Sequence, residues 1–472
     1  MSQSFVQNFQ TLSTVLSHSE ETDILLATPL KNPGQMAQFF RGQVRSPLLF
    51  RNALLWLSEI VESRFYRPDL WRYLDPVVTC EPQRVRLECF SSCASVYGRV
   101  DFEADFFNGY ALQTRGTTHV NFNPAFIKSL SQLRPGQRAV LEVGDQFLAL
   151  ATETAREIEV KVTLSERWLR GFLQSQALFR RATLWKSLPT LAARQFLLQL
   201  KASDTGERCL CLRGAQLQSL PIRPTGLPEA ELLEVSGLHR LGLFRKLIPH
   251  LQSLDIYQTH ANGPTLWVAH LPQARLTLAL SSTVKHGFSG EGEALRSLSQ
   301  IAPQAELDFL RMLVAGLESF TLEELSQLAE ISIEQSTAWV DTLASEGLLG
   351  FDNHADRYFY RVLPFVQARQ GRLENSQALF SQEKVSLEQV LALPGGLTAQ
   401  GWIQGQSAEY HAELALQGGY LSQGNCTCRW IQRHGLQRGP CKHLLALRFA
   451  AEAHLAQVSP PVAGEHHAPP LA

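Results

Sequence analysis

Basic residues are missing from the start of this chain: the first Lys or Arg is Lys31. A secretory leader needs a basic segment followed by an apolar run. Neither is present, so a cytoplasmic protein is expected. No apolar run approaches the roughly 18 residues that a bilayer-spanning helix takes, which leaves no membrane role. Cysteine is sparse, with 8 in 472 residues, too few for a disulfide scaffold. Net charge is also nearly absent. Lys and Arg number 43 against 44 Asp and Glu, a formal charge of -1. That excludes a chain that binds nucleic acid over its whole length, but not a local basic patch. The sequence has no G-x-x-x-x-G-K-[ST], no H-E-x-x-H and no G-x-S-x-G. Gly287, Gly290 and Gly292 do not make a dinucleotide loop and read as a turn. Enzyme chemistry therefore has no motif to stand on, and the protein is expected not to be an enzyme, with a site in 46–302 as the alternative.

What is present is ordinary globular composition, 44% hydrophobic and 18% charged. At roughly 100–200 residues per domain, the length suggests two to four domains. The fold class expected is α+β. Residues 1–45 are polar and read as short helices or a loosely held N-terminal arm. Leu54, Leu57, Ile60 and Val61 recur at helical spacing across 47–65. Strand signals follow. Val85, Leu87 and Cys89 alternate with Arg84, Arg86 and Glu88, and 96–101 is a second candidate. Segments 140–143 and 147–151 flank a turn, and 158–164 alternates again. Asn123 with Pro124 reads as an N-cap followed by Pro at the first helical position. Helices are expected from 166 to about 200, and a mixture over 205–300. Residues 46–302 thus read as one large α+β region, possibly two domains.

Residues 303–366 are clearer. Leu307, Leu310, Val314 and Leu317 form one helix face. Thr321 with Glu324, and Ser332 with Gln335, are capping boxes that open two more helices. Gly347 ends the third, and 348–351 and 358–362 read as strands around a polar turn at 353–357. Three short helices and a hairpin resemble a winged helix-turn-helix. Its third helix has no Lys or Arg, and the segment carries 3 basic against 11 acidic side chains. A phosphate backbone would repel it, so packing or protein contact is expected.

Residues 367–400 read as one or two helices ending at Pro394, Gly395 and Gly396, and 409–416 as a strand. Next come Cys426 and Cys428, then Cys441 and His443 twelve residues on. Three of the eight cysteines lie within sixteen residues, with a histidine beside the last. In a reducing compartment, clustered cysteines are metal ligands rather than disulfides. Cys3His is a closed tetrahedral set for zinc. The second pair falls where a helix begins, and a helix N-terminus stabilises thiolate. The alternative is three buried cysteines beside a surface histidine. Cys80, Cys89, Cys93, Cys209 and Cys211 read as ordinary thiols, and His434 as a loop residue. His411 and Glu413, with Pro440 and Cys441, superficially match the H-x-E…P-C-x-x-C signature of zinc deaminases. Leu444 stands where the second cysteine is required, however, and Cys426 and Cys428 would be left unexplained. Basic residues cluster around the metal pattern: Arg429, Arg433, Arg438, Lys442 and Arg448, with Trp430 among them. Arg429, Trp430, Arg433, Arg438 and Lys442 are candidates for nucleic-acid or partner contact.

The C-x-C…C-x-H pattern resembles the SWIM zinc finger, in which a β-hairpin delivers the first pair and a helix the second. The resemblance implies Cys426, Cys428, Cys441 and His443 as ligands of one structural zinc ion. Residues 367–456 are expected to form a helical connector and the finger, and 457–472, rich in Pro, Ala and His, a disordered tail. The segments Cys89 to Cys93, Gly116 to Pro124 and Glu166 to Phe172 extend the resemblance. With Arg438 to Leu447 they resemble bacterial SWIM zinc-finger proteins, commonly encoded beside MoxR-type AAA+ ATPases and von Willebrand A-type proteins. That implies a non-enzymatic adaptor in an ATPase-linked system. The basic finger supports an alternative, a nucleic-acid-binding regulator.

Overall fold

The computed structural model describes residues 14–17, 22–25, 37–66, 76–153, 155–162, 166–260, 263–285, 287–288, 304–363, 371–405, 408–417, 420–436 and 439–458. It is a mixed α+β protein with several antiparallel sheets. The chain forms two compact units. One comprises Met1–Ser289, Asp308–Ala329 and Leu343–Phe365, and the other Gly290–Leu307, Glu330–Thr342 and Val366–Ala472. No described helix is long and apolar enough to cross a membrane.

The first unit is built on an eight-stranded antiparallel sheet. Its spatial order is Thr183–Pro189, Ser253–Gln258, Thr265–Leu271, Ala274–Leu280, Val96–Glu103, Arg84–Phe90, Val77–Cys80 and Gly116–His119. The helix Pro47–Glu62 buries Leu49, Phe50, Ala53, Leu54, Trp56, Leu57 and Ile60, the face read from the sequence. It lies against Gly98. A Cβ there would come within 2.3 Å of Ile60 Cδ1, so a larger residue would require the Ile60 side chain to shift. A five-stranded sheet runs Arg156–Val160, Phe147–Thr152, Ala139–Gly144, Gln38–Val44 and Phe107–Leu112. Gln38–Val44 is thus an inner strand and not part of an arm. Phe40 and Val44 are buried there, and a strand hydrogen-bonded on both sides satisfies its backbone without a helix.

The stretch 166–200 also departs from an all-helical reading. Between the helices Glu166–Phe179 and Thr190–Gln199 runs the strand Thr183–Pro189, which takes the edge of the large sheet. Pairing with Ser253–Gln258, a partner remote in sequence, overrides local propensity here. Asn123 caps the helix Pro124–Ser131, with its side chain accepting from Phe126 N at 2.9 Å.

Between 304 and 360 the order is helix, strand, helix, helix, strand, strand: Gln304–Gly316, Ser319–Phe320, Leu322–Ala329, Ile333–Ser345, Leu349–Asp352 and Arg357–Tyr360. Both capping boxes are reciprocal. Thr321 Oγ1 accepts from Glu324 N at 3.2 Å, and Glu324 Oε2 accepts from Thr321 N at 3.0 Å. Ser332 and Gln335 do the same.

In the second unit, one helix, Gly371–Ser381, precedes a four-stranded meander: Val385–Leu393, Gly396–Gln404, Glu409–Gln417 and Tyr420–Cys426. The expectation of helix up to Pro394 is corrected. Residues 385–393 pair with 396–404, and Gly395, at φ 74°, makes the hairpin turn. The helix Lys442–Val458 covers one face of the sheet. Leu444, Ala446, Leu447 and Ala451 pack there with Leu397, Ala399, Ile403, Ala412, Leu414 and Leu416.

Candidate metal centre

Each of the four predicted ligands sits at the end of an element. Cys426 closes the last strand of the meander, and Cys428 is the N-cap residue of the short helix Arg429–His434. Cys441 immediately precedes the helix Lys442–Val458, and His443 lies in its first turn. Ligands two apart can meet because the chain turns between each pair, from strand to helix and from loop to helix. The four donor atoms lie within 4.8 Å of one another, and all four residues are buried. Cys426 Sγ is 3.8 Å from His443 Nδ1, and Leu444 N donates to Cys441 Sγ at 3.5 Å, as expected at a helix N-terminus. The Tyr410 ring stacks on His443 with centroids 4.1 Å apart and planes 17° apart, which fixes the imidazole. Sequence reasoning missed Tyr410. No pattern marks a residue sixteen positions before the first cysteine.

The donor set fits a metal. Three buried sulfurs and one buried imidazole, whose Nδ1 faces Cys426 Sγ, make up a Cys3His set. The thiols perturb one another strongly. The hydrogen bond with Cys428 pushes Cys426 up to about 11. Hydrogen bonds from Cys426 and Cys441 hold Cys428 far below the ordinary thiol value, while Cys441 is pushed far above it by its bonds to Cys426 and Cys428. Three thiols this close cannot all ionise on their own, and a divalent cation supplies the charge that lets them. The cluster could therefore hold a metal ion such as zinc.

The surrounding basic residues divide. Arg429 and Arg433 are exposed on the short helix, and Lys442 is half-buried. Arg438 lies outside the described residues. Arg448, counted in the basic cluster, is fully buried and pairs with Glu452 at 3.0 Å. Trp430 packs against the core, and its indole N–H donates to Gly439 O at 3.0 Å. His434 is not among the four clustered ligands, and its ring rests on Trp430. His411 and Glu413 share one face of their strand, with the imidazole 3.1 Å from Glu388 and 3.8 Å from Glu413.

No family model and no curated protein matches the sequence. Solved structures with similarity include a proliferating cellular nuclear antigen from Entamoeba histolytica, at TM-score 0.35 and 11% identity over 52% of this chain and 98% of that one. A PCNA2–PCNA3 complex from Sulfolobus tokodaii gives 0.37 and 10% over 51% and 98%. Likenesses of this size define neither fold nor function.

Proposed function

We propose that the chain is a SWIM-type zinc-finger protein acting as a non-enzymatic adaptor, with one structural zinc ion on Cys426, Cys428, Cys441 and His443. The observation that carries the reading is the convergence of three sulfurs and one imidazole, all buried, on one point. A closed four-ligand zinc has no open position for substrate. Its chemistry is to tie the last strand of the meander to two helices. Residues 303–366 are read as a winged-helix-like unit, supported by the element order over 304–360. Two of its charged side chains, Asp352 and Arg361, are buried in ion pairs, which favours packing over groove reading.

The partner proposed is a protein, a MoxR-type AAA+ ATPase or von Willebrand A-type protein of the cytoplasm. The support is the resemblance of the N-terminal segments and finger to bacterial SWIM proteins. The nucleic-acid reading keeps two exposed arginines but loses Arg448 and a free Trp430 indole. Binding of the purified full-length protein to a MoxR-type ATPase from the same organism tests the proposal, beside DNA and RNA at several salt concentrations. Saturable ATPase binding that Cys441→Ser abolishes supports the adaptor. Tight nucleic-acid binding at physiological salt, lost on neutralising Arg429, Arg433 and Arg438, would replace it.

A further inference from the structure

A second set of ligating side chains lies in the first unit and owes nothing to the cysteine cluster. Asp255 stands on the strand Ser253–Gln258 and His270 on its neighbour Thr265–Leu271. Asp255 pairs with Val268, so His270, two residues on, is its diagonal neighbour on the same face of the sheet. His270 Nε2 is 2.7 Å from Asp255 Oδ2. Ser187, directly opposite Asp255 on the other flanking strand, donates to Oδ1 at 2.5 Å. The hydroxyl bonds the carboxylate and not the imidazole, so this is no serine-nucleophile relay.

The third member is His354. It comes from the turn between Leu349–Asp352 and Arg357–Tyr360, where Asp352 Oδ1 accepts from His354 N at 3.1 Å and Ala355 N at 3.3 Å. That turn holds the His354 ring 4.8 Å from the His270 ring, with planes 63° apart. The donor atoms of Asp255, His270 and His354 all lie within 4.8 Å of one another. An Asp–His hydrogen bond alone would not need a second imidazole brought in from a separate hairpin.

We propose that Asp255, His270 and His354 form a binding site for a first-row divalent transition ion. Two imidazoles and one carboxylate are a set used for such ions with coordination positions left open. Metal–ligand lengths of roughly 2.0–2.2 Å place neighbouring donors about 3 Å apart, so the Asp255–His270 contact opens slightly and the exposed His354 closes in. The nearby Arg275 charge is opposed by Glu103 and Asp352, each at 3.1 Å.

The test uses full-length protein with its cysteine cluster saturated with Zn2+, titrated with Co2+ and followed by visible absorption. The expected result is one further Co2+ per chain, with weak d–d bands and no thiolate charge-transfer band. His354→Ala, on an exposed turn, should weaken that uptake at least tenfold while leaving the circular dichroism unchanged, and His270→Ala should do the same. Equal Co2+ uptake by wild type and a folded His354→Ala would overturn the proposal, as would a thiolate band accompanying the added cobalt. Equal uptake leaves the cysteine cluster untouched, whereas a thiolate band would place the added cobalt on cysteines.

Discussion

Arg84 Nη1 donates to Asp352 Oδ2 at 2.9 Å across 268 positions of sequence. The same carboxylate meets Arg86, Arg99 and Arg275 at 3.1–3.4 Å, and Asp101 bridges Arg86 and Arg99 at 2.9 Å. One hairpin aspartate therefore contacts four guanidiniums on the large sheet, whose charge it shares with Glu81, Asp101 and Glu103. Burial alone would raise the Asp352 pKa, but Arg86, Arg99 and Arg275 outweigh it and hold the group well below the usual carboxylate range. Asp352→Asn leaves those arginines short of charge in a buried site. The expected cost is about 3–5 kcal/mol of stability, measured by denaturant unfolding. A loss below about 1 kcal/mol, within the range of exposed pairs, would show that the network is not structural.

Metal removal should unfold part of the chain. Structural zinc in small fingers contributes on the order of 10–16 kcal/mol of apparent binding energy, against about 5–15 kcal/mol for the whole stability of a typical domain. One zinc per chain should survive dialysis against a weak chelator. Cys441→Ser and His443→Ala should lose it, with a fall in helical circular dichroism. Full retention of helicity in a zinc-free Cys441→Ser protein would mean that the sheet and helix packing alone holds the unit.

The Cys3His cluster was legible because its evidence is local: four candidate ligands of two residue types at fixed spacing, before a helix start. The helix face Leu54, Leu57, Ile60 and Val61 was legible for the same reason. The strand Arg84–Phe90 shows the limit. Its alternation of Val85, Leu87 and Cys89 with Arg84, Arg86 and Glu88 suggests one wet face, yet Arg86 and Glu88 are both buried. Beside nearer partners, Arg86 meets Asp352 and Glu88 meets Arg361, more than 260 residues away. Alternation reports which side chains share a face, not what covers it. The charge tally over 303–366 is equally silent on burial: Asp352 and Arg361 both lie in buried ion pairs.

Charge near the finger should matter by burial and not by sign. Arg429 and Arg433 are exposed, so Arg429→Gln and Arg433→Gln should each change stability by no more than about 0.5 kcal/mol. Arg448 is buried against Glu452, whose pKa burial raises despite the pairing. Arg448→Gln should cost on the order of 2–3 kcal/mol, discounted from the loss expected for a fully buried pair because Glu452 keeps some exposure. Similar effects at all three positions, in thermal or denaturant unfolding, would contradict the burial assignment.

Acid should act on the first unit in two separate windows. His119 ends the strand Gly116–His119 and is buried. Burial, and then the Lys161 ammonium, push its pKa down to about 4, against 6.5 in an unfolded chain. Between those values the unfolded state takes a proton that the folded state refuses, so stability rises with pH. The contribution is fully present above pH 6.5 and is lost as pH falls toward about 4, up to about 3 kcal/mol in all. Asp352 acts lower. Its stabilisation is present above the unfolded carboxylate pKa of about 4 and drains away below it, as pH falls toward its depressed folded value. His119→Gln should therefore flatten the stability profile from pH 6.5 to 4 and leave the steeper loss below pH 4 in place, whereas Asp352→Asn should remove that lower loss. Parallel wild-type and His119→Gln profiles across the upper window, in denaturation midpoints measured at each pH, would refute the assignment of that window to His119.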